Sequence, residues 1–188
     1  MNSLRSLRRF REFFAALMLV ATLSWSTFGY ADTLYKSNAD GTRLDVATTA
    51  GFNTIVNYGE GVAPGAADII AFNNLINGAR TLDVSQTAST NLSVAGLLVL
   101  DPGGSITIRN ENGQNQTLTI GASGINMSAA TQSLTLSSDT TTAGFALSVV
   151  LGAPQTWSVR DGRTLTVSTA VNTGPNALTI QGGTAGAG

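Results

Sequence analysis

From Arg80 onward the chain alternates between short apolar runs and turn residues. One tripeptide, an apolar residue followed by Ser or Thr and a second apolar residue, occurs eight times. Its copies are LSV at 92–94, ITI at 106–108, LTI at 118–120, LTL at 134–136, LSV at 147–149, WSV at 157–159, LTV at 165–167 and LTI at 178–180. Because the side chains of a strand alternate between two faces, each copy predicts a strand with two apolar residues inward and one hydroxyl outward. No window of helical length carries an i, i+3, i+4 apolar stripe.

The spacing of these strands limits the possible architectures. When LDV at 82–84 is counted as the first copy, successive copies begin on average 12 residues apart. This spacing fits a β-sandwich or a solenoid with about two such strands in each coil. A single hairpin or coil buries too little apolar surface to offset its loss of chain entropy, so stability must come from stacking many units. We therefore predict an all-β parallel β-helix, with an antiparallel β-sandwich as the alternative.

The stretch QTWSVRDGRTLTVS at 155–168 leaves the direction of strand pairing open. Asp-Gly between two alternating runs is a strong hairpin signal, and it would pair 155–159 with 163–168 in antiparallel fashion. In a β-helix, Asp161 and Gly162 would instead turn a corner between two faces. By register Trp157 points inward, which favours core packing over an outward platform for carbohydrate.

The amino terminus has the three parts of a secretory signal peptide. Four arginines precede an uncharged stretch from Phe13 to Trp25, and Gly29 and Ala31 supply the small residues before a cleavage point. We predict a signal peptide over 1–31, with an uncleaved anchor helix as the alternative, and no membrane span in the mature chain. General secretion is favoured over the twin-arginine route.

The rest of the chain divides into three segments. Residues 32–66 are mixed in composition and predict an amino-terminal cap or linker, because repeat arrays need atypical ends. A flexible tail over 32–50 is the alternative. Residues 67–183 form the predicted β-strand repeat region, and 184–188 are predicted to be a flexible or truncated end.

Composition excludes several classes of function. Without residues 1–31 the chain has six basic and ten acidic residues, a net charge of −4. That balance argues against a nucleic-acid partner and against polybasic membrane binding. The chain contains no His and no Cys, and so lacks the commonest general base, a thiol nucleophile and the best zinc ligands. We therefore expect no enzymatic activity, no cofactor and no metal site.

The few charged residues of the repeat region predict turns rather than a site. Arg160, Asp161 and Arg163 would offer one acid and two cations, but Asp-Gly makes the bend and the arginines keep it soluble. Asp83 lies between two inward residues and is predicted to face solvent. Asp101 begins a Pro-Gly-Gly turn. Neither aspartate has a second acid at short spacing.

Two stretches resemble a known family. APGAADIIAFNN at 63–74 and LGAPQTWSVRDGRTLTVSTAVNTGPNALTIQGG at 151–183 are similar to autotransporter-associated β-strand repeats, and the resemblance covers roughly 63–183. It implies a right-handed parallel β-helix passenger, exported through the periplasm of a Gram-negative-type bacterium and displayed on or released from the cell surface. No catalytic residues attach to this repeat.

The resemblance also implies partners and leaves alternatives. The expected partners are the secretion machinery and, for an adhesive role, extracellular carbohydrate or protein ligands. Autotransporters end in a membrane β-barrel, and no such pattern follows the repeat. We therefore expect part of a longer passenger, a truncated reading frame or another export route. The competing functions are a polysaccharide-active β-helix enzyme, which needs carboxylates about 5–10 Å apart on stacked coils, and a β-sandwich binding module.

Overall fold

The computed structural model describes residues 32–37, 44, 52–53, 64–85, 91–111 and 113–182. These ranges contain β-strands and turns and no helix, so no helix in them could cross a membrane. The strands are β1 (Thr33–Lys36), β2 (Phe52–Asn53), β3 (Ile69–Phe72), β4 (Arg80–Asp83), β5 (Leu92–Val99), β6 (Ile106–Arg109), β7 (Gln116–Met127), β8 (Leu134–Ser137), β9 (Leu147–Leu151), β10 (Gln155–Val159), β11 (Leu165–Ser168), β12 (Ala170–Asn172) and β13 (Leu178–Gly182). The predicted signal peptide, most of the predicted cap and the predicted end at 184–188 lie outside the described residues.

The strands stack as a parallel β-helix of about three turns. Its first face is a separate sheet in the order β4, β6, β8, β11. The second face consists of the start of β5, the start of β7, then β9 and β12. The third face consists of β1, β3, the ends of β5 and β7, then β10 and β13. The long strands β5 and β7 therefore pass from the second face to the third without a connecting loop.

On the first face register is kept from coil to coil, whereas the pairing of β5 with β7 shifts register between Val94 and Gly96. Leu82 aligns with Ile108, 26 positions later, and that column continues through Leu136 and Val167 at steps of 28 and 31. All pairings between described strands are parallel except the one between β1 and β2. The predicted parallel β-helix is confirmed, and the antiparallel β-sandwich is wrong.

Each coil has three strand segments instead of the expected two. The tripeptide count found the third face only at 157–159 and 178–180, because in earlier coils Leu97–Val99 and Ile125–Met127 carry Leu98 and Asn126 at the outward position instead of Ser or Thr. Their inward residues are as well buried as those of the other faces. The alternation was present, but its outward member was not a hydroxyl.

The hairpin interpretation of 155–168 is also wrong. β10 lies between β7 and β13, and β11 pairs with β8, so β10 and β11 are on different faces. Asp161 and Gly162 turn the corner between them, and Gly162 adopts the left-handed φ of 70° that favours glycine in a tight bend. Parallel stacking is favoured over antiparallel pairing of β10 with β11 because it places Leu165 and Val167 over the apolar column of the previous coil.

The interior is filled by the inward columns. Leu118, Ile120, Leu134 and Leu136 are fully buried, and Trp157 is 2% exposed. Burying such side chains contributes about 1.5–3 kcal/mol each. Since each coil covers the apolar side of the one before it, the core extends continuously along the axis.

The two ends of the described stack differ. At the amino-terminal end β2 lies antiparallel on β1, and the amide of Leu44 donates a hydrogen bond to the carbonyl of Asp83 at 2.9 Å. Leu34 and Leu44 are completely buried there. At the carboxy-terminal end Ile180 is 62% exposed. Among the described residues, apolar side chains are therefore buried at the first end and partly exposed at the second.

Candidate functional site

The outer side of the first face carries a column of threonines in unbroken register. Its members are Thr81, Thr107, Thr135 and Thr166. Adjacent strands lie about 4.8 Å apart, so these β-branched side chains stack along the helix axis and present their hydroxyls at that repeat. This surface is neutral and offers hydrogen bonds but no acid–base group.

A second outward column on the same face contains the principal charge cluster. Arg109 on β6 places Nε 2.9 Å from Oδ1 of Asp83 and Nη1 2.8 Å from Oδ2 of Asp139. Asp83 is 6% exposed and Asp139 is 5% exposed. The prediction for Asp83 is thus corrected: its side chain is on the outer side, but Arg109 covers it. Sequence reasoning missed this pair because its members are 26 residues apart.

Asp139 has a second set of partners. The hydroxyl and the backbone amide of Thr141 both donate to Oδ1, whereas Oδ2 accepts no hydrogen bond and is held by the charge of Arg109. The Thr141 hydroxyl contributes most to lowering the pKa of Asp139; the Thr141 amide and Arg109 lower it further, against the opposing effect of burial. The carboxylate is therefore kept ionised and paired, which suits a structural role better than proton transfer.

A buried polar network supports the corner behind this cluster. Oδ1 of Asn110 accepts a hydrogen bond from the amide of Asp139 at 2.7 Å, and Nδ2 of Asn110 donates to the carbonyl of Gln114 at 2.8 Å. Nε2 of Gln116 donates to the carbonyl of Ser85 at 2.7 Å. The chain bends here from the first face to the second, so these backbone groups have no partner in a neighbouring strand. The side-chain amides of Asn110 and Gln116 form hydrogen bonds with them instead.

A shallow cavity of about 390 Å³ lies on the outer side of the third face, beside the bend in β7. The residues that line it are Ala122, Ser123, Asn126, Pro154, Gln155, Thr156, Ser158, Ala177 and Thr179. None of them is charged or aromatic. The cavity can form hydrogen bonds through hydroxyl and amide groups, and it holds no nucleophile paired with a base.

The remaining residues singled out by sequence do not form a site. Trp157 is inward as predicted, and its Nε1 donates to Oε1 of Gln155 at 2.8 Å. Arg160, Asp161 and Arg163 are exposed in a turn closed by a 3.1 Å hydrogen bond from the amide of Arg163 to the carbonyl of Arg160. The turn interpretation is confirmed, and Asp101 is likewise exposed.

Gln155 was missed by sequence reasoning and organises the interior at the third face. Its Nε2 donates to the carbonyl of Ile120 at 2.8 Å, and its Oε1 accepts from Trp157. The residue is 5% exposed. A glutamine at an inward position of an alternating run, two residues from a tryptophan, was the available signal.

Within the described ranges, no three His, Cys, Asp or Glu side chains come together in a way that could hold a metal ion. Comparisons with protein families, with curated proteins and with solved structures found no significant match to this chain. The resemblance to autotransporter-associated repeats therefore stays a prediction from the sequence.

Proposed function

We propose that this chain is an exported structural segment of an autotransporter-type passenger, displayed at the cell surface. The observation that carries the proposal is the unbroken parallel register of the first face, in which apolar columns face inward and a column of threonines faces outward. Such a stack grows by adding one coil at a time, so a chain emerging from a secretion pore can fold as it arrives. A surface poor in charge and free of Cys demands no disulfide chemistry during transit.

The charge cluster also favours a structural role over polysaccharide cleavage. A glycosidase needs one carboxyl that can donate a proton and another that is free to act as a base or nucleophile. Asp83 and Asp139 are both buried and share Arg109. This arrangement links coils and leaves neither carboxylate open to substrate.

Export is tested by expressing the full chain with a carboxy-terminal epitope in a Gram-negative host. We expect the protein in the periplasmic fraction, with an amino terminus at Asp32 by mass spectrometry. Ala31→Arg, which places a large cation at the cleavage point, should retain residues 1–31, whereas Ala47→Arg serves as a matched control. A cytosolic protein that retains Met1 would contradict export.

The passenger assignment is tested separately from export. The reading frame that follows Gly188 in the genome should continue the repeat array and lead to a membrane barrel. A stop codon followed by unrelated sequence would contradict the passenger role and leave export itself standing.

A second candidate function is weak adhesion to neutral carbohydrate at the cavity on the third face. Its lining of hydroxyls and amides, without charge, matches the hydrogen-bonding groups of neutral sugars. Glycan-array binding should be lost in Asn126→Ala and Thr156→Val and kept in Thr81→Val, which removes a comparable hydroxyl from the first face. Equal binding by all three variants would contradict this location.

A further inference from the structure

Three stretches of the chain match the acceptor pattern for N-linked sugars, which is Asn, any residue except proline, and then Ser or Thr. They begin at Asn91, Asn115 and Asn126. All three asparagines are exposed. So short a pattern also arises by chance in a chain rich in Ser and Thr, and the surroundings of each asparagine decide between an acceptor and a structural residue.

The fold itself uses Asn91 and Asn115. Oδ1 of Asn91 accepts a hydrogen bond from the amide of Thr117 at 2.9 Å, and Oδ1 of Asn115 accepts one from the amide of Ala146 at 2.9 Å. In both cases the donor lies one coil later in the chain, directly before or within the next strand of the second face. Joining successive coils accounts for these two asparagines without any modification.

Asn126 makes a different set of contacts. Its Oδ1 accepts hydrogen bonds from the amide of Ser128 at 3.0 Å and from the hydroxyl of Ser128 at 2.8 Å, so the bonds stay within the acceptor pattern. Its Nδ2 has no hydrogen-bond partner in the part of the chain that the structure describes. Asn126 is at an outward position, aligned with Leu98 and Ser158 of the neighbouring coils. A group attached to Nδ2 therefore has no need to enter the core.

Asn126 also lines the cavity on the third face, whereas Asn91 and Asn115 do not. The hydroxyls of Ser123 and Thr156 lie in the same lining, which carries no charge. The cavity volume of about 390 Å³ is within the usual range for small-ligand sites. Hydroxyl and amide groups donate and accept the hydrogen bonds that a neutral sugar offers, so a sugar attached to Asn126 has a matching surface beside it.

We propose that Asn126 carries an N-linked sugar that lies in the cavity on the third face. The donor is a sugar joined through its anomeric carbon to a diphosphate. Nδ2 forms the new bond to that carbon, the bond from the carbon to the diphosphate oxygen breaks with its electron pair leaving on the diphosphate, and a base of the transferase takes the amide proton. Because β7 is paired on both sides after folding, transfer precedes the stacking of β10.

This inference rests on the match between the cavity and a neutral sugar, which the second candidate function also uses, and it is independent of the passenger assignment. Mass spectrometry of the protein isolated from the organism that encodes it tests the modification. We expect the peptide that contains Asn126 to be heavier by one or more sugar residues. The sugar should survive mild alkali, which releases sugars from Ser and Thr by β-elimination. An unmodified Asn126, or a sugar that alkali releases, would overturn the proposal.

Variants expressed in the same organism test the acceptor pattern. Ser128→Ala removes the pattern and should abolish the sugar on Asn126, whereas Ser128→Thr keeps the pattern and should retain it. Ser123→Ala removes a hydroxyl from the same cavity without altering the pattern, and it should also retain the sugar. Both positions are exposed, so the variants should keep their fold, as circular dichroism will show. A sugar on Ser128→Ala, or its loss from Ser123→Ala, would contradict the assignment.

Glycan-array binding separates the attached sugar from adhesion to a foreign one. An attached sugar fills the cavity, so the modified chain should bind no free glycan there, whereas chain produced in a host without N-linked glycosylation leaves the cavity open for the array. A modified chain that still binds glycan through the cavity would contradict the position given to the sugar. If the natural protein carries no sugar and the array shows binding, adhesion stands and the modification falls.

Discussion

Arg109 on β6 holds the carboxylate of Asp83 on β4, with 2.9 Å between Nε and Oδ1. The pair joins two successive coils on the outer side of the first face. Its aspartate is nearly buried, whereas the arginine side chain is 36% exposed. Solvent therefore partly screens the charge of Arg109. The ion pair stabilises the fold mainly because it gives a partner to a carboxylate that would otherwise be buried without one.

Removing that cation should destabilise the stack. Arg109→Met keeps an unbranched side chain but removes the cation, so Asp83 and Asp139 lose their shared partner. We expect the thermal midpoint to fall by at least about 2–4 °C, the shift that each kcal/mol of lost stability produces in a chain of this size. Arg163→Met, in the exposed turn, is the matched control. Equal midpoints for both variants would show that the cluster contributes nothing.

Acid should weaken the fold through Asp139. Because its pKa is lowered in the folded state, the unfolded chain binds the extra proton first as the pH falls. Its contribution is complete above about pH 4, the ordinary range of an aspartate, and is lost as the pH falls through the lowered folded-state pKa. Urea midpoints measured against pH should decline in that acidic range.

Thr141 is the residue that should set this pH dependence. Thr141→Val removes the hydroxyl that lowers the pKa of Asp139 most, so the carboxyl resonance in a carbon NMR titration should move to a higher pH. Thr140→Val, at the exposed neighbouring position, is the control and should leave the titration unchanged. A titration unaffected by Thr141→Val would contradict the role given to the hydroxyl.

Alanine substitutions at two glycines distinguish the cost of backbone strain from the cost of a steric clash. Gly124 and Gly144 have φ of 61° and 90°, so alanine is strained at both. A Cβ at Gly124 would lie 2.2 Å from the carbonyl oxygen of Thr156, whereas a Cβ at Gly144 would meet open space. We expect Gly144→Ala to cost about 1 kcal/mol of unfolding free energy and Gly124→Ala more than about 3 kcal/mol. Chemical denaturation measures both, and similar costs would be incompatible with close contact between β7 and β10.

Replacing aligned leucines in two successive coils should lower the free energy of unfolding by different amounts. Leu134 and Leu165 are aligned, but only Leu134 is completely buried. Leu134→Ala should cost about 2–5 kcal/mol, as for other buried leucines. Leu165→Ala should cost less than half as much, because Leu165 is only half-buried. Chemical denaturation measures both costs, and equal costs would contradict the difference in burial.

Local pattern predicted much of the interior because alternation is a local property. Leu134, Leu136 and Trp157 could be placed inward from their neighbours in sequence alone, and they are buried. The earlier coils of the third face were missed because Leu98 and Asn126 occupy the outward position where the counted tripeptide has Ser or Thr. The pairing of β10 and β11, on either side of Asp161 and Gly162, is decided by contacts with strands about thirty positions earlier in the chain. A two-residue turn motif carries no information about those contacts.

The candidate site was less predictable than the core for the same reason. The sequence around Asp83 does not indicate that Arg109 covers it, because Arg109 lies one coil later in the chain. The cavity on the third face arises where β7 bends and β10 and β13 stack beside it, so its lining comes from three separate stretches of sequence. Only the register of a complete stack brings these residues together.

The corners between the first and second faces vary in length while the strands they join keep their register. Residues 138–146 connect β8 to β9, whereas Thr169 alone connects β11 to β12. A scaffold with this property accepts foreign peptides at one edge without disturbing its repeat. The exposed residues 143–145 of this corner, which leave the contact between Thr141 and Asp139 in place, are accordingly the natural place to graft an epitope or a receptor-binding loop.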